Sequence, residues 1–234
     1  ELAPYRAVLT HGYVVDGEGR KMSKSLGNVV DPLEVIEKSG ADILRLWVSS
    51  ADYTSDIAAS SEILERVTEA YRRTRNTARF MLGNLYDFKI EDHRVSYEEL
   101  EELDRWALLR LSRLQEKVNE AFSAYRFHLA FHQVYNFCVI DMSALYLDII
   151  KDRLYTNGAK TKGRRAAQTV IYHVLDHLVR LLAPILVFTS DEAWGFMPGR
   201  TAGNVHLAGF PDPGKEWLDE ALEEKWRTLL WLKG

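Results

Sequence analysis

One cysteine among 234 residues, Cys138, excludes an internal disulfide and any zinc site built from several cysteines. A lone thiol fits a reducing compartment, so the chain is expected to work in the cytoplasm. Long apolar runs are missing as well. None approaches the roughly 18 residues of a membrane span, and no membrane partner is expected. Basic excess is also lacking: 30 Lys and Arg stand against 34 Asp and Glu, a net charge of −4. That balance argues against a generic nucleic-acid coat but permits a local basic face. Proline is scarce, and three of the six fall within residues 198–214 together with four glycines, which reads as a loop. The sequence opens at Glu1 in strand-like residues, without a charged n-region or apolar h-region, so it is expected to be a piece of something longer with no signal peptide.

What is present is mostly helical. "YRAVLTHGYVVD", residues 5–16, is β-branched and aromatic and reads as a strand, turning at Asp16–Gly19. Asp31 and Pro32 supply an N-cap and first position for a helix to about Lys38, closed by Gly40. "ADILRLWVSS" is a second short helix, and "ADYTSDIAASS" a polar connection. From Ser61 the period becomes helical, with Ile63, Val67, Ala70, Tyr71, Thr74, Ala78, Met81 and Leu82 on one face. A second helix starts near Leu103. A third, 127–153, is apolar almost all round and is expected to be the central one, with Phe131, Val134, Tyr135, Cys138, Met142, Leu145 and Ile149 inside. A fourth runs to Pro184, and "TSDEAW" offers the N-cap of a short fifth. The last segment, 215–232, is expected to leave Trp217, Leu218, Leu222, Trp226 and Leu229 exposed. The fold class is mainly α: an antiparallel helix bundle preceded by a small α/β segment with a strand, a turn and a polar loop. Three parts are expected, 1–58, 59–197 and 198–234.

That loop is "GEGRKMSKSLGN", residues 17–28. Gly17 and Gly19 allow a sharp turn, Ser23 and Ser25 are small and hydrogen-bonding, and Lys21 and Lys24 are mobile point charges. Such a loop can close on a polyphosphate. On composition alone, an ordinary solvated connector is the favoured reading.

"KMSKS", Lys21 to Ser25, is the signature of class I aminoacyl-tRNA synthetases, and more than the pentapeptide matches. "THGYVVDGEGRKMSKSLGNVVDP", "GADILRLWVSSADYTSDI", "YRRTRNTARFMLGNLYDF", "LYLDIIKDRLY" and "LLAPILVFTSDEAW" together resemble the isoleucyl-tRNA synthetases through most of the chain. The valyl branch is the nearest alternative, and its wording differs at "ILRLW" and "RNTARF". The resemblance implies ATP-dependent activation of isoleucine and its ligation to tRNA(Ile). It implies that Lys24 contacts the ATP phosphates with Lys21 assisting, and that Met22, Ser23 and Ser25 shape the closed loop. ATP would come with Mg2+. The family's "HIGH" nucleotide core, editing domain and four-cysteine zinc module have no counterpart in these residues. The chain alone is therefore expected to be inactive, with no metal ligands of its own.

Residues 66–80 hold Arg66, Arg72, Arg73, Arg75 and Arg79 against one acid, Glu69. At about 100° per residue, Arg72 and Arg79 point the same way, opposite the apolar stripe, with Arg75 at its edge. A solvated helix face with pairs to Glu62 or Glu65 competes with an RNA-backbone contact, and the resemblance brings the two level. Arg75 could equally anchor the bundle to the segment before it. "KTKGRR", 160–165, reads first as a solubilising turn. His128 with His132, and His173 with His177, share helical faces as metal ligands would, but without a third ligand they read as structural. Asp141, Asp148 and Asp152 read as partners for arginines such as Arg153 or Arg180. Cys138 reads as core, and His11 ranks low as a nucleotide contact. A helical scaffold with an incidental lysine loop is the competing function, and preference for a tRNA over bulk RNA separates the two.

Overall fold

The computed structural model describes residues 4–233; the strand-like start read at Glu1 lies outside them. The expected long strand is short. Only β1, Val14–Val15, forms, and it pairs in parallel with β2, Ile57–Ala58, inside the stretch read as polar connection. Gly12 makes the approach possible, since its N–H donates to Tyr53 O at 2.8 Å and a Cβ there would collide with the Ser55 carbonyl. Between the strands lie α1, Pro32–Ser39, and α2, Ala41–Ser50. Asp31 caps α1 by accepting from Leu33 N at 2.8 Å, and Gly40, at φ 88°, turns the chain into α2.

Next come α3, Ser61–Asn84, a short α4, Ile90–His93, and α5, Glu102–Ser123. They are followed by α6, Phe127–Asn136, a π-type stretch Phe137–Tyr146, and the short α7, Leu147–Ile149, and α8, Lys151–Tyr155. The chain continues through α9, Lys162–Leu182, α10, Val187–Phe196, and α11, Glu220–Lys233. The long helices α3, α5, α6 and α9 pack around one core that includes Met81, Trp106, Leu109, Phe131, Met142, Val170, Ile171 and Leu178.

The central helix is not the expected one. α9 buries fourteen residues, whereas Ile140 and Ile149 of the apolar segment are 60% and 51% exposed. The π turns explain the difference. They take more residues per turn than 3.6, so each rotates the following side chains away from α register. Phe131, Val134, Cys138, Met142 and Leu145 are inside as expected, Tyr135 is half-buried, and Ile149 faces out. Burial pushes the Cys138 thiol up to about 12, consistent with a core residue.

At the C-terminal end, Trp217 and Leu222 are buried and Trp226 stacks on Trp106 with ring centroids 5.0 Å apart, against expectation. Leu229, Trp231 and Leu232 remain exposed. The fifth helix also starts early. Thr189 and Ser190 lie inside α10, and the carboxylate serving its N-terminus comes from α2. Asp42 accepts from Phe188 N, Thr189 N and Thr189 Oγ1, the last at 2.6 Å. One turn on, Arg45 donates to Pro184 O and Ile185 O at 2.7 and 3.0 Å. Asp42 and Arg45 thus join residues before α3 to the bundle, a role the sequence had suggested for Arg75.

Candidate phosphate loop and nucleic-acid interface

The lysine loop leaves β1 at Asp16 and returns beside it at Lys21, which bridges Val15 in antiparallel sense. Ser23 then caps a single 3-10 turn, Lys24–Leu26, its Oγ accepting from Leu26 N at 3.3 Å and lying 3.1 Å from Ser25 Oγ. Gly27, at φ 65°, closes the turn with its N–H on Lys24 O. Lys21, Lys24 and Ser25 are exposed, while Met22 and Ser23 are half-buried. No acid pairs with either lysine among the described residues. Two cations therefore face solvent from a short loop, Lys21 beside β1 and Lys24 on a turn whose two serine hydroxyls are already engaged. Asp16 and Asn28 hold the two ends of this loop together, and residue chemistry had not singled them out. The signal was there: an acid opening the turn and an amide just past the loop's last glycine.

The arginines of α3 do lie on its solvent side. Arg72 and Arg73 both reach Glu69, at 2.9 and 3.2 Å, rather than Glu62 or Glu65. Arg66, Arg75 and Arg79 make no ion pair among the described residues. Arg75 and Arg79 border a shallow recess of about 190 Å³ with Leu82, Thr189 and Phe196, and Phe196 is 74% exposed. Guanidinium groups beside an exposed ring match the mixed charge and stacking that single-stranded RNA offers.

Other candidates have structural employment. In "KTKGRR", Arg164 is buried against Asp87, Arg165 binds Asp87 O and Gln168, and Lys162 pairs with Glu99. Arg164 donates to Asp87 and holds its carboxyl down to about 2. Asp141 pairs with an arginine as expected, Arg110, but Asp148 pairs with Lys151, and Arg153 and Arg180 hold Asp104 and Asp176 instead. His11 is exposed, its Nδ1 on Gly12 O. Among the described residues, no group of three or more His, Cys, Asp or Glu could hold a metal ion. No helix among them is long and apolar enough to cross a membrane.

His177 spans His173 O and Asp212 O and packs on Trp217. Burial lowers His173 to about 4 from an ordinary value near 6.5. The unfolded chain therefore takes up the His173 proton first as pH falls, and stability should drop between pH 6.5 and 4. Burial lowers His177 too, so both act in the same direction. His173→Gln should flatten that part of the profile without abolishing it. Urea midpoints measured from pH 7 to 4 check this, and an unchanged slope would contradict it.

A family model described as "Anticodon-binding domain of tRNA ligase" matches residues 104–230. A second, "tRNA synthetases class I (I, L, M and V)", matches residues 1–60. The chain is similar to an isoleucine–tRNA ligase of Caldanaerobacter subterraneus subsp. tengcongensis, 59% identical, and to one of Moorella thermoacetica, 57% identical, each over 97% of the chain. It spans 25% of the length of either relative. A methionyl-tRNA synthetase of Mycobacterium tuberculosis, bound by methionyl-adenylate, matches with a TM-score of 0.64 at 25% identity, covering 78% of this chain and 36% of its own. The LeuRS of Agrobacterium radiobacter K84, in a ternary complex with tRNA and LeuAMS, shares the fold, with a TM-score of 0.66 at 24% identity over 89% of this chain and 24% of its own.

Proposed function

This chain belongs to the family of tRNA-ligase anticodon-binding domains, and from that premise we propose that it is the section of an isoleucine–tRNA ligase that brings an ATP-phosphate loop and a tRNA-binding bundle together. Residues 1–58 carry the loop and a stem-contact segment, 59–197 the anticodon-binding bundle, and 198–234 a loop and the last helix. The observation that carries the reading is the pair of exposed cations, Lys21 and Lys24, without an acid partner on a tied turn.

In the whole ligase, working in the cytoplasm, isoleucine attacks the α-phosphorus of ATP and pyrophosphate leaves. Negative charge grows on the leaving group, and a flexible ammonium at Lys24 follows it, with Lys21 assisting. Met22, Ser23 and Ser25 keep the loop that presents both lysines. Mg2+ would neutralise phosphate charge when it accompanies ATP. Among the described residues no acid cluster could hold it, and the Asp16 oxygens at the loop's root are taken by Glu18 N, Arg20 and Asn28. Lys21 and Lys24 act on the phosphates through their own charge.

Arg72, Arg75 and Arg79 line the face proposed to meet tRNA(Ile). The chain should prefer tRNA(Ile) to bulk RNA in filter binding across a salt series. Arg75→Ala and Arg79→Ala should each reduce the slope of log K against log salt by roughly 0.7–0.9. Binding without preference for any tRNA would favour a scaffold. The chain by itself should give no isoleucine-dependent pyrophosphate exchange.

A further inference from the structure

The lysine loop is not held by backbone alone. Asn28 Nδ2 donates to Asp16 Oδ2 at 2.9 Å across twelve positions of sequence, and to Lys21 O at 3.3 Å. Its Oδ1 accepts from Ser23 N–H at 2.9 Å. Asp16 accepts in addition from the N–H groups of Glu18 and Arg20 and from Arg20 Nε, at 2.8–3.0 Å. Only 6% of Asp16 is exposed, and its own N–H is fixed on Arg20 O, one residue after β1 ends. The hydrogen bonds therefore run from the sheet through Asp16 and Asn28 into the residues on either side of Met22.

Donor and acceptor roles make this position demanding. A carboxylate and a carbonyl can only accept, and a backbone N–H can only donate. A side chain meeting all three at once must offer N–H and C=O from one planar group, which an asparagine amide does. A carboxylate there would face Asp16 and the Lys21 carbonyl without a proton to share.

We infer that Asn28, acting with Asp16, is a positioning residue for adenylate formation: it sets the root of the turn that presents Lys24. This rests on the phosphate-loop reading above. The clasp fixes Lys21 O and Ser23 N–H on the near side of Lys24 and closes the far side at Asn28 itself, four residues on. A loop ordered in this way samples fewer arrangements, so the ammonium meets the phosphates without first ordering its own backbone. The Asp16 carboxyl lies well below the usual carboxylate range, first because Asn28 donates to it and then because Arg20 N–H does. The clasp is thus built around an ionised acid.

The test uses the intact ligase and single-turnover formation of isoleucyl-adenylate. Asn28→Ala should lower the rate constant roughly 10- to 100-fold, with half-saturating isoleucine unchanged. Combined with Lys24→Ala, it should add little to the loss from Lys24→Ala alone, because both act through one ammonium. Asn28→Asp adds a reading that survives if the alanine variant folds poorly. The introduced carboxyl faces the Asp16 carboxylate and the Lys21 carbonyl, with Arg20 on the other side of Asp16 and Glu18 beyond Arg20. Protonated, it can again donate to Asp16 and accept from Ser23 N–H, so the deficit relative to the parent enzyme should shrink as pH falls. Multiplicative losses in the double variant, or a pH-independent Asn28→Asp deficit, would overturn the clasp while leaving the phosphate loop standing. A silent Lys24→Ala would remove the phosphate-loop reading, and the clasp with it.

Discussion

Lys24→Ala in the intact ligase should slow isoleucyl-adenylate formation by about two orders of magnitude, corresponding to roughly 3 kcal/mol for one group aimed at developing charge. The loss should fall on the chemical step. Before bond breaking, the phosphate charge is spread and the exposed ammonium of Lys24 is well solvated, so ground-state ATP gains little from it. As the bond to the α-phosphorus breaks, charge moves onto pyrophosphate and the ammonium can follow on its four-carbon stem. Lys21→Ala should cost less, because Lys21 is held by its backbone at the root of the loop rather than on the turn. Lys24→Arg should rescue only partly, since a planar guanidinium does not reproduce a compact charge.

The second large effect concerns stability. Asp104 is fully buried at the start of α5, where it accepts from Tyr146 OH at 2.7 Å and from both terminal nitrogens of Arg153, at 2.8 and 2.7 Å. The Arg153 side chain is itself only 15% exposed. Asp104→Ala would strand a guanidinium and a phenol in the bundle interior. Removing one partner of a buried pair typically costs about 3–5 kcal/mol, most of it the charge left behind. The urea midpoint should fall accordingly. Asp104→Asn, which keeps an acceptor for Tyr146 but loses the charge, should fall less. A midpoint within experimental scatter for Asp104→Ala would show that Arg153 finds water or Glu101, which lies 3.3 Å away.

Local signals in the sequence were reliable where a single residue decides the backbone. Asp31 with Pro32 starts α1, Gly40 ends it, and the three-and-four spacing of Val67, Ala70, Thr74 and Met81 marks the inner face of α3. The lysine turn was likewise legible from its glycines, serines and cations. Features that depend on partners distant in sequence were not. β2 exists because Trp47 Nε1 donates to Ala58 O and Val15 pairs beside it, and neither is visible in "SDIAAS". The N-terminus of α10 looked self-capped at Thr189, yet its acid arrives from Asp42, 147 positions earlier. "KTKGRR" looks solvated as a string and holds a buried cation, because Asp87, itself held by Gln168, accepts from both terminal nitrogens of Arg164. In the candidate site, Lys21 and Lys24 were evident by type, whereas Asp16 and Asn28 gained a role only once the turn brought them into contact.

Rapid-quench measurement of isoleucyl-adenylate formation by the Lys24→Ala ligase, over a full ATP titration, separates a role for Lys24 in the chemical step from one in holding ATP. One experiment yields both the plateau rate and the half-saturating ATP concentration. The plateau should lie about 100-fold below the parent enzyme, with half-saturation shifted only a few-fold. A plateau equal to the parent's, whatever the shift in half-saturation, would contradict it and leave the lysine turn a connector.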